Sequence, residues 1–173
     1  VAVERLVVPL VDDRALAAEG VVGHQRGRGV RILHDAGERQ PLDRLRRDAQ
    51  LIVIDTNPLY IDYLRSTIRD SRFTAVLGSA TDVEDIVAGH GYDHADYVLS
   101  GLPFTTLPDG VGPAIAAATH RVLRPGGAFL VYQFTPRARD FMAKHFTRID
   151  RDFEWRNILP SYLFWGWKDA GED

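Results

Sequence analysis

"LIVIDTNP", residues 51–58, decides how the rest of this chain is read. Leu51-Ile52-Val53-Ile54 is a continuous apolar run, the pattern of a parallel strand buried on both faces. Asp55 ends the run. Asn57-Pro58 then starts a helix, with Pro58 at the first helical position, where the missing N–H is no loss. Leu59, Tyr63 and Ile68 are expected to form the inward stripe of that helix. A buried parallel strand followed by a helix is the opening half of a βαβ unit, so further units should follow.

They do. Phe73 to Leu77 reads as a strand closed by Gly78-Ser79, and Thr81 or Asp82 can cap a helix reaching about Ala88. Tyr97 to Ser100 is another strand, Val111 to Leu123 a helix, and Arg124-Pro125-Gly126-Gly127 its stop. Ala128 to Phe134 is a strand, Arg137 to His145 a helix, and Arg148–Trp155 with Tyr162–Trp167 two late strands turned by "NILP", residues 157–160. Upstream, Val30 to Leu33 is a short strand candidate and Pro41 to Arg47 a brief helix. Strands alternating with helices give a doubly wound α/β fold. The expected sheet is seven-stranded and mostly parallel, with an antiparallel C-terminal hairpin. One domain spans 1–173, with a helical or irregular segment over 1–29 and the sheet core over 30–168.

Composition narrows the function classes. The chain has 173 residues, 45% of them hydrophobic and 26% charged, and a net charge of −3. It therefore has no broad pull toward nucleic acid. Arg26, Arg28, Arg31, Arg39, Arg44, Arg46 and Arg47 lie close together, which suits a solvated helix surface or a local anion-binding face. With no cysteine, thiolate nucleophiles and Cys-based zinc sites are excluded. His90, Asp93 and His94 form only a loose cluster, and no metal site is expected. No G-x-S-x-G elbow or Walker loop is present. No run approaches the ~18 apolar residues of a membrane span, and no leader-like start is evident, so a cytoplasmic location is expected. Val3, Leu6, Val7, Leu10 and Val11 make a helical stripe broken by Pro9, but Glu4, Asp12, Asp13 and Glu19 would be repelled by an anionic bilayer. Membrane contact is at most peripheral.

Open α/β sheets bind ligands at the carboxyl ends of their strands. Asp55, at one such end, can accept hydrogen bonds from both hydroxyls of a ribose, or it can close an Asx turn. Gly78-Ser79-Ala80 can admit an adenine ring against the backbone, or serve as a plain strand-to-helix turn. In "SGLPF", residues 100–104, the Ser100 hydroxyl and nearby carbonyls can orient an amine while Pro103 fixes the turn. Phe104 can wall a channel there, or be a core ring under a buried turn.

"LIVIDTNP", "VLGSATDV", "YVLSGLPF" and "LRPGGAFLVYQFTP" occur in that order. Together they resemble a class I S-adenosylmethionine-dependent methyltransferase. "SGLPF", "LRPGG…QFTP" and "WRNILPSYLFWGWK" are similar to the bacterial phospholipid N-methyltransferase family, over residues 50–168. The resemblance implies S-adenosylmethionine as cofactor. It implies Asp55, with Thr56 beside it, at the ribose, Ser79 and Ala80 at the adenine, and Ser100, Gly101, Leu102 and Phe104 positioning the acceptor. Ser100 would also face the cofactor. It further implies that Tyr162–Trp167 is antiparallel and sits next to the fifth strand. The acceptor would be a small-molecule or lipid amine.

The family's first strand ends in an acidic residue and a glycine-rich loop, and here that pattern is degenerate. "GHQRGRG", residues 23–29, keeps Gly27 and Gly29 but follows only Val21-Val22. "HDAGERQ", residues 34–40, follows the better strand Val30–Leu33 and is preferred, with Asp35 or His34 for the acid and Gly37 as its glycine. Glu38, Arg39 and Gln40 would crowd a cofactor there. Two readings follow: a methyltransferase acting on an amine, or a non-catalytic relative that serves as a binding or assembly partner.

Overall fold

The computed structural model describes residues 5–10, 47–104, 106–133, 136, 138–154 and 161–171. Seven strands form one sheet: β1 (Arg5–Leu10), β2 (Gln50–Asp55), β3 (Phe73–Leu77), β4 (Ala95–Ser100), β5 (Leu123–Gln133), β6 (Arg148–Glu154) and β7 (Ser161–Trp167). Their spatial order is β3-β2-β1-β4-β5-β7-β6. The helices are α1 (Pro58–Thr67), α2 (Val83–Gly89), α3 (Val111–Val122) and α4 (Ala138–Met142), with a short 3-10 turn at Ala80–Asp82 before α2.

Helices cover both faces of the sheet. On one face Ile61 and Leu64 of α1 pack with Leu51, Val53, Leu130 and Trp165. On the other, Val83, Val87, Ile115, Val122 and Met142 pack with Ile52, Ile54, Val98 and Phe129. Successive residues of β2 alternate between these two cores, so every side chain of its apolar run is buried.

The sheet is mixed rather than mostly parallel, which corrects the expectation. Among the described residues, parallel pairing is confined to β2 with β3 and β4 with β5. β7 runs antiparallel to both β5 and β6, so the C-terminal hairpin is inserted beside β5 as the resemblance implies. The "NILP" turn lies outside the described residues.

The slot between β2 and β4 holds the larger surprise. Arg5–Leu10 fills it, antiparallel to both neighbours. The sequence alone places Val30–Leu33 there and leaves residues 1–29 helical or irregular. Two physical reasons favour the strand. Pro9 breaks a helix interior, and Val7-Val8 suits a buried strand. The ladder with β2 runs from Arg5↔Asp55 to Leu10↔Gln50, whereas that with β4 is confined to Leu6↔Ser100 and Val7↔Leu99. Residues 11–46, with Val30–Leu33 and both glycine stretches, lie outside the described residues.

Two local corrections follow from packing. In α1 the inward residues are Ile61 and Leu64, continued by Ile68 just past its end, while Leu59 and Tyr63 are 79% and 56% exposed. The stripe is set by the capped start: Asn57 Oδ1 accepts from the Leu59 and Tyr60 N–H groups, which fixes the rotation of the first turn. β5 begins at Leu123 and runs through Pro125-Gly126-Gly127, residues expected to be only a helix stop.

Candidate functional site

The carboxyl ends of β2, β3, β4 and β5 bring Asp55, Gly78-Ser79, Ser100-Gly101-Leu102 and Gln133 to one edge of the sheet. Because β1 runs the other way, its first residues stand at this edge, with Arg5 opposite Asp55 and Leu6 opposite Ser100. Its last residue pairs with Gln50 at the far edge.

Asp55 is completely buried. Its Oδ1 accepts the backbone N–H of Asn57 at 2.7 Å, and its own carbonyl accepts from Gly78 N–H at 3.1 Å. The Asx turn is therefore realised, and it ties the end of β2 to the start of α1 and to β3. Thr56, beside it, is exposed.

Ser79 caps the 3-10 turn: its Oγ accepts from Thr81 N–H at 3.3 Å and lies 2.9 Å from Thr81 Oγ1. Ala80 is a core residue, packed in the same cluster as Val83 and Ile54. The strand-to-helix turn is what these residues build.

At the end of β4, Ser100 is completely buried and its Oγ accepts from Leu102 N–H at 3.3 Å. Leu102 is also completely buried, and its carbonyl receives Gln133 Nε2 at 2.7 Å and Phe104 N–H at 2.9 Å. Both lone pairs of that carbonyl are engaged, so Leu102 offers no free acceptor to an amine. Phe104 is a core ring, 5.0 Å from the Phe141 centroid. Gly112 makes room for it, since a Cβ there would stand 3.3 Å from the Phe104 ring and 3.6 Å from Phe141. Gly101 is shut in by Tyr132, whose hydroxyl and ring occupy the space a Cβ would need.

The sequence-level candidates thus divide. Asp55, Ser79, Ser100, Gly101 and Leu102 share one edge; Ala80 and Phe104 lie in the core beneath it; Asp35 and Gly37 lie outside the described residues. Gln133 and Tyr132 were missed. The available signal was a glutamine closing an apolar strand, two positions after Val131 and so on the same face. Among the described residues no cluster of three or more metal-ligating side chains converges, and no described helix is long and apolar enough to cross a membrane.

The fit of a nucleoside cofactor differs between the two ends of the edge. A ribose needs a carboxylate oxygen it can reach, and Asp55 is closed off. At β4 and β5, Gln133 is 6% exposed and its Oε1 is a buried acceptor without a hydrogen-bond partner. Ser100 accepts one bond and still has a proton to donate. This oxygen is as buried as Asp55 Oδ2, so a ligand N–H or O–H reaches it only by displacing the packing around it.

No family model matches the chain. An ornithine lipid N-methyltransferase from Singulisphaera acidiphila is 29% identical over 121 residues, a match that covers 69% of this chain and 63% of that relative's length. The N-methyltransferase NodS from Bradyrhizobium japonicum has a similar fold, with a TM-score of 0.54 and 12% identity, covering 69% of this chain and 74% of that one. Spermidine synthase from Thermotoga maritima shares it at a TM-score of 0.52 and 14% identity, over 70% of this chain and 46% of that one. The sequence match and the shared fold agree with the resemblance carried by "LIVIDTNP", "YVLSGLPF" and "LRPGGAFLVYQFTP". The chain is similar in sequence to a lipid N-methyltransferase, spans less than two thirds of that relative's length, and shares the α/β architecture of NodS.

Proposed function

We propose that this chain is an S-adenosylmethionine-dependent methyltransferase acting on an amine, either a small molecule or a lipid head group. The observation that carries the reading is the buried polar set at the end of β4, Ser100 with Gln133, at the ligand-binding edge of such a sheet. The cofactor supplies an activated methyl group on a sulfonium, so the protein's part is alignment and exclusion of water. The resemblance gives Asp55 to the ribose and Ser79 to the adenine; Asp55 is buried here, so it takes that role only once uncovered. Ser100 orients the acceptor, and the apolar surroundings of Leu102 and Phe104 keep water out. No general base is assigned: an amine that arrives neutral has its own lone pair, and the proton released after methylation leaves to solvent. Nucleic acid is not a partner in this reading, and contact with a membrane is peripheral.

The burial of Asp55 favours a second reading, a non-catalytic methyltransferase-like domain that binds a partner. Titration calorimetry of S-adenosylmethionine and S-adenosylhomocysteine into the chain, with Asp55→Ala beside it, separates the two. Micromolar binding that the variant loses supports the enzyme, and ornithine lipid is then the first acceptor to assay. Absence of heat at millimolar ligand, from folded protein, overturns the enzyme and leaves the binding domain.

A further inference from the structure

We propose that Gln133 is the residue that selects acceptors by their N–H groups, its Oε1 holding an amine that still carries hydrogen. The inference rests on the methyltransferase reading and deepens it.

The geometry begins with register. Ser100 pairs with Val131 in the parallel ladder of β4 and β5, so two residues further on Leu102 comes level with Gln133. The 2.7 Å contact between Gln133 and the Leu102 carbonyl follows from that alignment. A carbonyl oxygen accepts only, so the amide NH2 must face it, and this settles which arm of the side chain is which. The other arm, Oε1, is then a fixed acceptor. It is buried, and no hydrogen bond reaches it. An orphaned buried acceptor is uncommon in a folded protein and calls for an explanation.

The neighbouring groups show what it can take. The Leu102 carbonyl already receives two donors, Gln133 Nε2 and Phe104 N–H, and so cannot hold an amine. Ser100 Oγ already accepts from Leu102 N–H, and its remaining capacity includes a proton to donate. Of the side chain and the carbonyl that meet at Leu102, Gln133 Oε1 is therefore the open acceptor. A primary or secondary amine held there by an N–H keeps its lone pair pointing elsewhere, free for methyl transfer. A neutral tertiary amine has no N–H and gains nothing from the contact.

That difference supplies the test. The unsubstituted chain and Gln133→Met are assayed with ornithine lipid in detergent micelles and with its N,N-dimethyl derivative, and S-adenosylhomocysteine binding is measured by calorimetry. We expect Gln133→Met to lower kcat/KM about tenfold or more for the primary amine. The same variant should leave the tertiary amine and the S-adenosylhomocysteine affinity within about twofold. Equal loss on both amines would mean that Gln133 only braces the Leu102 loop and would overturn the proposal, as would a loss of S-adenosylhomocysteine binding or unchanged use of the primary amine. Should Gln133→Met fail to fold, Gln133→Leu, which also removes the acceptor oxygen, takes its place and is expected to show the same loss confined to the primary amine; equal loss on both amines in folded Gln133→Leu would overturn the proposal. If the unsubstituted chain binds no S-adenosylhomocysteine and methylates neither amine, the methyltransferase reading falls and this inference with it.

Discussion

The Tyr132 ring lies across Gly101 so closely that a Cβ at position 101 would overlap its hydroxyl and ring carbons. Glycine is needed here for space, because its φ is not in the left-handed region. Gly101→Ala should therefore destabilise through overpacking, by about 1–3 kcal/mol. Urea unfolding would show this as a lower midpoint with an unchanged slope. Adding Tyr132→Leu to that variant should recover part of the loss. If Gly101→Ala unfolds like the parent chain, the packing of Tyr132 on β4 is not as described.

Asp55 carries two separable burdens. Its Oδ1 closes the Asx turn with Asn57, and the proposed function gives the same carboxylate to a ribose. Asp55→Asn keeps a side-chain oxygen for the turn, and so should cost less stability than Asp55→Ala. The alanine leaves the half-buried Asn57 N–H without its partner, at about 1 kcal/mol. Thermal melts of the two variants test the turn. For the ribose, Asp55→Asn should weaken S-adenosylhomocysteine binding at least tenfold while the protein stays folded, as calorimetry on that variant would show.

Much of this architecture was legible because burial on two faces leaves a plain mark. Leu51–Ile54 and the apolar part of β5 read as strands for that reason, whereas β3, at the sheet edge with Ala75 its one buried residue, reads as one from its apolar run alone. The start of α1 was legible in Asn57-Pro58. What failed was local pattern taken without its neighbours. Leu6, Val7 and Leu10 match a helical spacing, yet the open slot between β2 and β4 gives two ladders of backbone hydrogen bonds to a strand. Leu59 and Tyr63 were assigned inward by residue type, whereas the Asn57 cap turned Ile61 and Leu64 to the core. In "SGLPF", the partner of the Leu102 carbonyl lies 31 positions away in sequence. No local pattern carries such a contact. Only the register of β4 on β5 creates it.

The rotation of α1 gives a direct comparison. Leu64 is fully buried between the helix and the sheet, and Leu59 is 79% exposed on the outer face. Leu64→Ala should cost about 2–5 kcal/mol through lost burial and the cavity left behind. Leu59→Ala should stay within about 0.5 kcal/mol of the parent. Denaturant titration of both variants settles the orientation of the helix, and a reversed order would restore the stripe expected from Leu59 and Tyr63.

The last relationship lies at the opposite end of α3, where His120 faces His145 at 6.1 Å between ring centroids and meets the edge of Phe146 at 5.1 Å. Burial lowers its pKa from the ordinary 6.5, and the charges of Lys168 and His145 push in the same direction against Asp169. The folded chain thus binds this proton less readily than the unfolded chain does. Stability from His120 is complete above about pH 6.5 and declines as the pH falls below it, because protonation then favours the unfolded state. Lys168 Nζ is held by the Arg121 and Leu123 carbonyls, so the positive charge beside His120 is fixed in place. His120→Gln should flatten the stability profile below about pH 6.5 relative to the parent chain. Parallel profiles for the two proteins would show that His120 titrates as an ordinary surface histidine, and that the contacts with Phe146 and Lys168 do not bury it.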